Sequence, residues 1–300
     1  MIFPEAIKKR LRKRRDSSSL VYLLYHIRLV TMGHQPICLD YPVKPRPRYG
    51  YGKPAHPELT LLLSRGAAQY RDLLREFLEL APELLAIPLR DSADPGEPCW
   101  INHLLDGLDT FALYGFIATR SPRLYVEVGS GFSTKVVRRA IKDRGLATRL
   151  ISIDPSPRRE IDQLCDDVVR MPLEDCDLGF IDDLQANDIF FLDGSHRSFM
   201  NSDVTVFFLE ILPRLKPGVI VHIHDIYLPF DYLSEGCPYY SEQYLLAASL
   251  LAGHNGYDIL LPNNFVSNTP SIADVLKEFW SAAELRGVKQ KGTSFWLVRH

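Results

Sequence analysis

The chain has 300 residues, of which 46% are hydrophobic and 24% charged, with a formal net charge of −2. This length suits one large α/β domain with an accessory region, or two small domains. The mixture is that of an ordinary globular protein and argues against fibrous, disordered and membrane-spanning classes. A near-neutral balance gives the molecule no electrostatic pull towards nucleic acid. Cys38, Cys99, Cys165, Cys176 and Cys237 are scattered, odd in number and without a C-x-x-C pair. They argue against a disulfide framework or a cysteine-rich zinc site, and fit a reducing, cytoplasmic compartment.

At the N-terminus, Lys8, Lys9, Arg10, Arg12, Lys13, Arg14 and Arg15 precede an apolar stretch from Leu20 to Val30. The order imitates a signal peptide, but His26 and Arg28 interrupt the apolar run and no small-residue cleavage site follows. The stretch is too short and too polar to span a bilayer. Two readings stay open: a solvated basic helix start, or an amphipathic helix in peripheral contact with anionic lipid. Residues 1–38 read as helical, and the Pro- and Gly-rich segment from Tyr41 to Pro54 as an ordered arm or linker. Tyr70, Leu73, Leu74, Phe77 and Leu78 share one helical face that Pro82 is expected to end. After an Asp-, Pro- and Gly-rich loop at 91–98, Leu104, Leu108, Phe111 and Ile117 mark a second amphipathic helix. Residues 1–100 are therefore expected to form a helical and extended accessory region, with the main domain at 101–300.

Beyond Pro122 the pattern changes. Strands are predicted at 124–128, 150–153, 168–171, 188–192, 219–223, 257–261 and 294–298, with helices at 135–144, 207–215 and 245–252 between them. Strands alternating with helices predict a Rossmann-like, doubly wound and mostly parallel sheet. Their nearly continuous apolar character suits a sheet covered on both faces.

Ligands of such a sheet bind beyond the carboxyl ends of its strands, where strand order reverses. The first strand runs into Glu127-Val-Gly129-Ser130-Gly131-Phe-Ser133-Thr134. Glycines let the backbone turn sharply and approach a ligand closely, and Ser133 or Thr134 is placed to cap the next helix. Thr134 occupies the third small position of the dinucleotide fingerprint G-x-G-x-x-G/A, which counts against pyrophosphate binding. Asp154, ending the second strand in I-S-I-D-P, can accept hydrogen bonds from ribose hydroxyls or cap the turn at Pro155. Glu127 and Asp154 flanking the G-S-G turn point to a nucleoside ligand.

Taken in order, V-E-V-G-S-G-F-S-T, I-S-I-D-P, D-I-F-F-L-D-G-S-H and L-K-P-G-V-I-V-H-I-H-D resemble the class I methyltransferases, and most closely the bacterial methyltransferase-24-like group. The resemblance covers roughly residues 100–300 and implies S-adenosylmethionine as cofactor. It implies that Gly129, Ser130 and Gly131 face the methionine part, that Glu127 helps hold that end, that Asp154 holds the ribose and that Glu174 borders the adenine. Similar enzymes acting on macrolide sugars hold Mg²⁺ with the aspartate of D-G-S-H and two acids ending the fifth strand. By that likeness Asp193 and Asp225 become metal ligands and His196 the general base.

His224 stands where the sugar enzymes carry glutamate. An imidazole there favours Mn, Fe or Zn over Mg, unless the site is metal-free. His222 shares a strand face with His224 and points either to the site or into the core. Tyr227, Phe230, Asp231, Tyr232, Glu235, Tyr239, Tyr240, Glu242 and Gln243 read either as an acceptor pocket or as a loop packed on the core. The expectation is a methyltransferase acting on a hydroxyl of a small molecule or glycan. The alternatives are a metal-dependent hydrolase or oxygenase built on His222, His224 and Asp225, and a non-catalytic cofactor-binding protein.

Overall fold

The structure is a computed structural model that describes residues 23–24, 27–32, 41, 45–157, 161–233, 239–253 and 256–300. The basic segment 8–15, Cys38, Cys237 and Glu235 lie outside these residues. The chain divides into two compact units, Met1–Pro45 and Arg46–His300. In the first, residues 27–31 are helical. No helix among the described residues is long and apolar enough to cross a membrane.

The second unit is built on seven strands: β1 Leu124–Val128, β2 Arg149–Ile153, β3 Asp167–Val169, β4 Ile189–Leu192, β5 Ile220–Ile223, β6 Tyr257–Pro262 and β7 Phe295–Arg299. Their order is β3-β2-β1-β4-β5-β7-β6. Pairing is parallel from β3 through β5, and β7 runs antiparallel to both β5 and β6. This is the expected mostly parallel, doubly wound sheet, and its order reverses between β1 and β4. The centre is buried on both faces because helices cover both: every residue of β1, β4 and β5 is buried.

Strand register places the functional residues. Val128 pairs with Ile153 on one side and with Leu192 on the other, and Leu192 pairs with Ile223. Four parallel strands therefore end at one height, and Gly129, Asp154, Asp193 and His224 come next in each. The hydrogen-bond ladder carries these residues too, with N–H groups of Gly129, Asp193 and His224 donating to Ile153, Val128 and Leu192.

The longer helices are α1 Pro57–Ser64, α2 Ala67–Leu78, α3 Gly107–Arg120, α4 Phe132–Arg144 and α5 Glu242–Ala252. α2 ends at Leu78, and Pro82 opens a separate short helix, Ala81–Leu85, where a missing N–H is no loss. Leu104 precedes α3 and is exposed, so it is not part of that helix's apolar face. Phe77 of α2 packs edge-on against Phe111 and Phe116 of α3 at 6.2 and 5.0 Å. Gly115 permits this, because a Cβ there would collide with the Phe77 ring. One core thus joins α2, α3 and the sheet, and the compact unit begins at Arg46. The division expected near residue 100 falls inside it. The arm at 46–56 docks on the loop after β5: His56 N–H donates to Pro229, and Asp231 accepts from the N–H groups of Arg48 and Tyr49.

At the far edge of the sheet Asp188 is 1% exposed and accepts from Leu124 N (2.7 Å), Gln185 N (3.0 Å) and Arg123 Nη2 (3.0 Å). It ties the start of β1 to the start of β4 and so sets the register that aligns their other ends. Asp188→Ala strands two backbone donors and should lower stability by about 2–4 kcal/mol, with Asp188→Asn recovering part. The urea midpoints of the two variants check this; an Ala variant as stable as wild type would refute the tie.

Candidate active site

The glycine turn is set by close approach. Gly129 holds φ +80°, and a Cβ on it would overlap the carbonyl oxygen of Asp193, so the β1 and β4 ends meet only through glycine. Ser130 N–H donates to Asp154 Oδ2 (2.8 Å) and its hydroxyl meets that of Ser152 (2.7 Å). Asp154 Oδ1 accepts from Ser156 N–H (2.8 Å), closing the turn at Pro155. Asp154 therefore both caps its turn and braces the glycine loop, and each oxygen keeps a lone pair for a further donor.

Glu127 is fully buried, with its carboxylate accepting from Ser133 Oγ (3.1 Å) and from the Thr134 hydroxyl. Burial pushes its carboxyl up to about 7, opposed by the hydroxyls of Thr134, Ser130 and Ser133. Gly131 N–H in turn donates to Thr134 Oγ1 (3.0 Å). Glu127 thus acts on the crevice through the loop it fixes, because its carboxylate has no exposed surface. Glu174 sits half-buried in a short turn after β3, Leu173–Asp175.

Past β4 and β5 the chain brings acids and imidazoles together. His196 and Asp225 adopt left-handed backbone conformations, φ +59° and +56°, which non-glycine residues hold only where their surroundings impose them. His196 Nε2 lies 3.4 Å from Asp193 Oδ1 and 3.6 Å from Asp225 Oδ2, while its Nδ1 meets Glu242 Oε2 at 2.8 Å. Glu242 is fully buried and opens α5. Its neighbour Ser241 donates its N–H to the His196 carbonyl (2.8 Å), and the Tyr240 ring lies 4.5 Å from the imidazole. Burial by itself would lower the His196 pKa. The hydrogen bonds and charges of Asp193 and Glu242 outweigh it and raise the imidazole to about 10.

His224 takes a different position from that expected. Its Nδ1 lies 3.4 Å from Asp193 Oδ2 and its Nε2 3.5 Å from Asp109 Oδ2. Asp109, fully buried near the start of α3, also accepts from Asn263 Nδ2 (2.8 Å), Thr293 N (2.8 Å) and Ser294 N (2.8 Å). Burial lowers the His224 imidazole, but the charges of Asp193 and Asp225 and the bonds from Asp109 and Asp193 raise it well above its usual value. Burial likewise opposes ionisation of Asp193, yet His224 and His196 hold its carboxyl below the usual range. The result is an alternating line, Glu242, His196, Asp193, His224 and Asp109.

The ligand atoms that lie within 4.8 Å of one another belong to Asp193, His196 and Asp225. His196, not His224, supplies the nitrogen facing both carboxylates. His224 projects from the sheet face that α3 covers and is taken up by Asp109. His222 is removed from any site: its ring is stacked between Phe191 (4.1 Å) and Trp296 (3.8 Å), with Nε2 on Ser294 Oγ (2.7 Å). Burial holds it well below its usual pKa. This overturns a hydrolase or oxygenase built on His222, His224 and Asp225. Asp109 went unread in the sequence, although an acid inside the apolar run G-L-D-T-F-A-L was the available signal. Glu242 was legible only as one of the loop acids.

The loop after β5 divides between the two readings. Gln243 accepts from Tyr227 N–H (2.9 Å) and donates to the Phe230 carbonyl (3.2 Å), and Tyr232 is buried, which is packing. Tyr240 faces His196, and the Arg197 guanidinium lies over its ring at 5.0 Å. A cavity of about 810 Å³ lies elsewhere, between α2 and the β6 edge, lined by Arg65, Tyr70, Glu76 and Leu260. The crevice is recognised by its chemistry instead.

The sequence model of the Methyltransf_24 family, described as a methyltransferase domain, matches residues 126–226. No curated protein matches the chain. Among solved structures, the chain is similar to an O-methyltransferase from Bacillus cereus in complex with S-adenosylhomocysteine (SAH), at 15% identity over 76% of this chain and 91% of that one, TM-score 0.38. It is also similar to an SAH-bound methyltransferase from Podospora anserina, at 13% identity over 84% and 100%, TM-score 0.39. The matched segment runs from β1 through the glycine turn and D-G-S-H to the end of β5, and so contains all four aligned strand ends. Over these residues the chain matches a methyltransferase domain of the Methyltransf_24 type.

Proposed function

We propose that this protein transfers the methyl group of S-adenosylmethionine to a hydroxyl of a small-molecule or glycan acceptor. The observation that carries this reading is His196. Its Nε2 faces Asp193 and Asp225 at 3.4 and 3.6 Å, and the Asp193 backbone abuts Gly129 of the cofactor turn. In this reading the cofactor lies across Gly129, Ser130 and Gly131. Asp154 takes the ribose, Glu174 borders the adenine, and Ser133 and Asp193 line the methionine side. Methyl transfer to oxygen is an in-line displacement in which the acceptor must be positioned and lose a proton. His196 is the proton acceptor, held in one orientation by Glu242.

Asp193 and Asp225 present a pair of carboxylates that fits a divalent cation, and oxygen donors favour Mg or Mn. When bound, such a cation would polarise the acceptor oxygen and lower its pKa. Asp193 and Asp225 would hold it, leaving His196 to take the proton. Without a cation, the imidazolium of His196 is itself the positive charge between the two acids.

Loss of the base typically costs about 10²–10⁴-fold in rate. His196→Ala should therefore reduce kcat by about that factor and leave SAH affinity unchanged; full turnover of this variant would end the assignment. The pH profile tests the cation separately. A His raised to about 10 is protonated at neutral pH, so turnover in chelator should climb as pH rises towards 10. A cation neutralising Asp193 and Asp225 weakens their hold on that proton, so added Mg or Mn should move the rising limb to lower pH. Superimposed profiles with and without chelator would rule the cation out.

For the cofactor, Asp154→Ala should weaken SAH binding by about 1.5–3 kcal/mol, the range for hydrogen bonds to a charged group. NAD should show no calorimetric binding, since Thr134 fills the third small position of its loop. Unchanged SAH affinity in the variant, or tight NAD binding, would contradict the cofactor placement.

A further inference from the structure

The cavity of about 810 Å³ between α2 and the edge strand β6 is separate from the crevice. Val298, in its wall, pairs with Ile220, where β5 starts. The cavity therefore opens beside the starts of the strands, at the other end of the sheet from Gly129 and His196.

Its wall changes character along α2. Between Gly66 and Glu76, both in the wall, the helix extends about 15 Å. Leu73, Ile259, Leu260 and Val298 are half-buried and give the cavity an apolar surface. The acids of the wall are already engaged: Asp72 with Arg75, Glu76 with Arg120, and Asp258 facing His300 at 3.7 Å. At the Gly66 end donors remain. No side chain caps α2 and no acid sits in its first turn, so its first N–H groups keep their partial positive charge. Among the described residues, the side chains of Arg65 and Gln69 have neither an ion pair nor a hydrogen bond.

The second observation is Tyr70. It is 1% exposed, with its ring held edge-on to Phe265 at 6.5 Å. Its hydroxyl nevertheless has no hydrogen bond among the described residues, and its oxygen is not sealed in the core. That oxygen sits against Gly66, where a Cβ would collide with it, because helical side chains lean towards the N-terminus. It thus faces the cavity that both residues line. Burial pushes the phenol above its usual pKa, so it remains a donor at neutral pH. Polar groups of so buried a residue are ordinarily paired, and here the open side is the cavity.

We propose that this cavity binds an amphipathic organic carboxylate. Its head lies on Arg65, the Tyr70 hydroxyl and the start of α2, and its apolar body along Leu73, Ile259 and Val298. An inorganic anion would leave the apolar wall uncovered, and a neutral hydrocarbon would leave the cation and the buried donor unmatched. An organic cation would find every acid of the wall already engaged. A single guanidinium matches a single negative charge, which favours a carboxylate over a phosphate monoester of charge about −1.5 to −2.

Calorimetric titration of the full chain with decanoate, kept below the concentration at which it forms micelles, tests this. Decanol and decylamine serve as neutral and cationic chains of the same length. Decanoate should bind with a single site, about 10-fold or more tighter than either control. Tyr70→Phe should weaken decanoate about 10-fold, and Arg65→Gln about 2- to 5-fold. Because the hydroxyl has no partner within the protein, Tyr70→Phe without ligand should have a urea midpoint no lower than wild type. A lowered midpoint would mean that the hydroxyl is bonded inside the fold, and would overturn the site. Saturating SAH should leave decanoate affinity unchanged, and competition between them would move decanoate to the crevice and overturn it too. Wild type that does not bind decanoate, controls that bind as tightly, or unchanged affinity in both variants also refutes the proposal.

Discussion

Everything in the crevice depends on four parallel strands stopping at the same height. Val128, Ile153, Leu192 and Ile223 are paired in register, and the next residue of each strand carries on the ladder of backbone hydrogen bonds. A slip of one residue in a parallel pair would turn the side chains beyond it to the opposite face of the sheet. Asp154 and Asp193 would then flank different spaces. The lock lies at Gly129, whose missing Cβ leaves room for the carbonyl of Asp193. At the opposite edge, Asp188 draws the starts of β1 and β4 together.

On that frame the chain assembles charges that no single segment could stabilise. Asp109, Glu127 and Glu242 are completely buried carboxyl groups, and His196 and His224 nearly so. Each is tolerable because an opposite charge or several donors meet it. Asp109 takes three N–H groups besides His224, and Glu127 takes the hydroxyls at the start of α4. Alternation of acid and imidazole along the line from Glu242 to Asp109 lets neighbours stabilise one another, and orients Asp193 from both sides. Such an arrangement gives Asp193 a fixed direction and leaves it a third exposed, whereas Glu242 and Asp109 are sealed away and act only through the histidines.

The elements that supply these groups come from distant parts of the chain. α3 lies before β1, yet it provides Asp109. α5 comes after the β5 loop and provides Glu242, while β7 arrives antiparallel between β5 and β6 and contributes the Thr293 and Ser294 donors at its start. The arm at 46–56 braces the same loop through Asp231 and Pro229. The helices before residue 100 therefore support the sheet's own core, with Phe77 wedged over Gly115.

Much of this was legible in the sequence. Alternating apolar runs and turns located all seven strands, because burial on both faces leaves a continuous apolar signature that local periodicity reveals. The positions of the G-S-G turn, Asp154 and Asp193 directly after strand ends, and of Asp225 and His196 two and four residues beyond them, were readable because strand ends of a doubly wound sheet share one edge. What sequence alone left open was decided by packing across the sheet. His222 and His224 were equivalent candidates on one strand face, and only the rings of Phe191 and Trp296 make the first a core residue while Asp109 claims the second. Asp109 and Glu242 sit 115 and 46 residues from their partners His224 and His196, with nothing local to mark them as such. Their roles arise from ion pairs between elements far apart in the chain, and such pairs exist only once the sheet and its helices have closed.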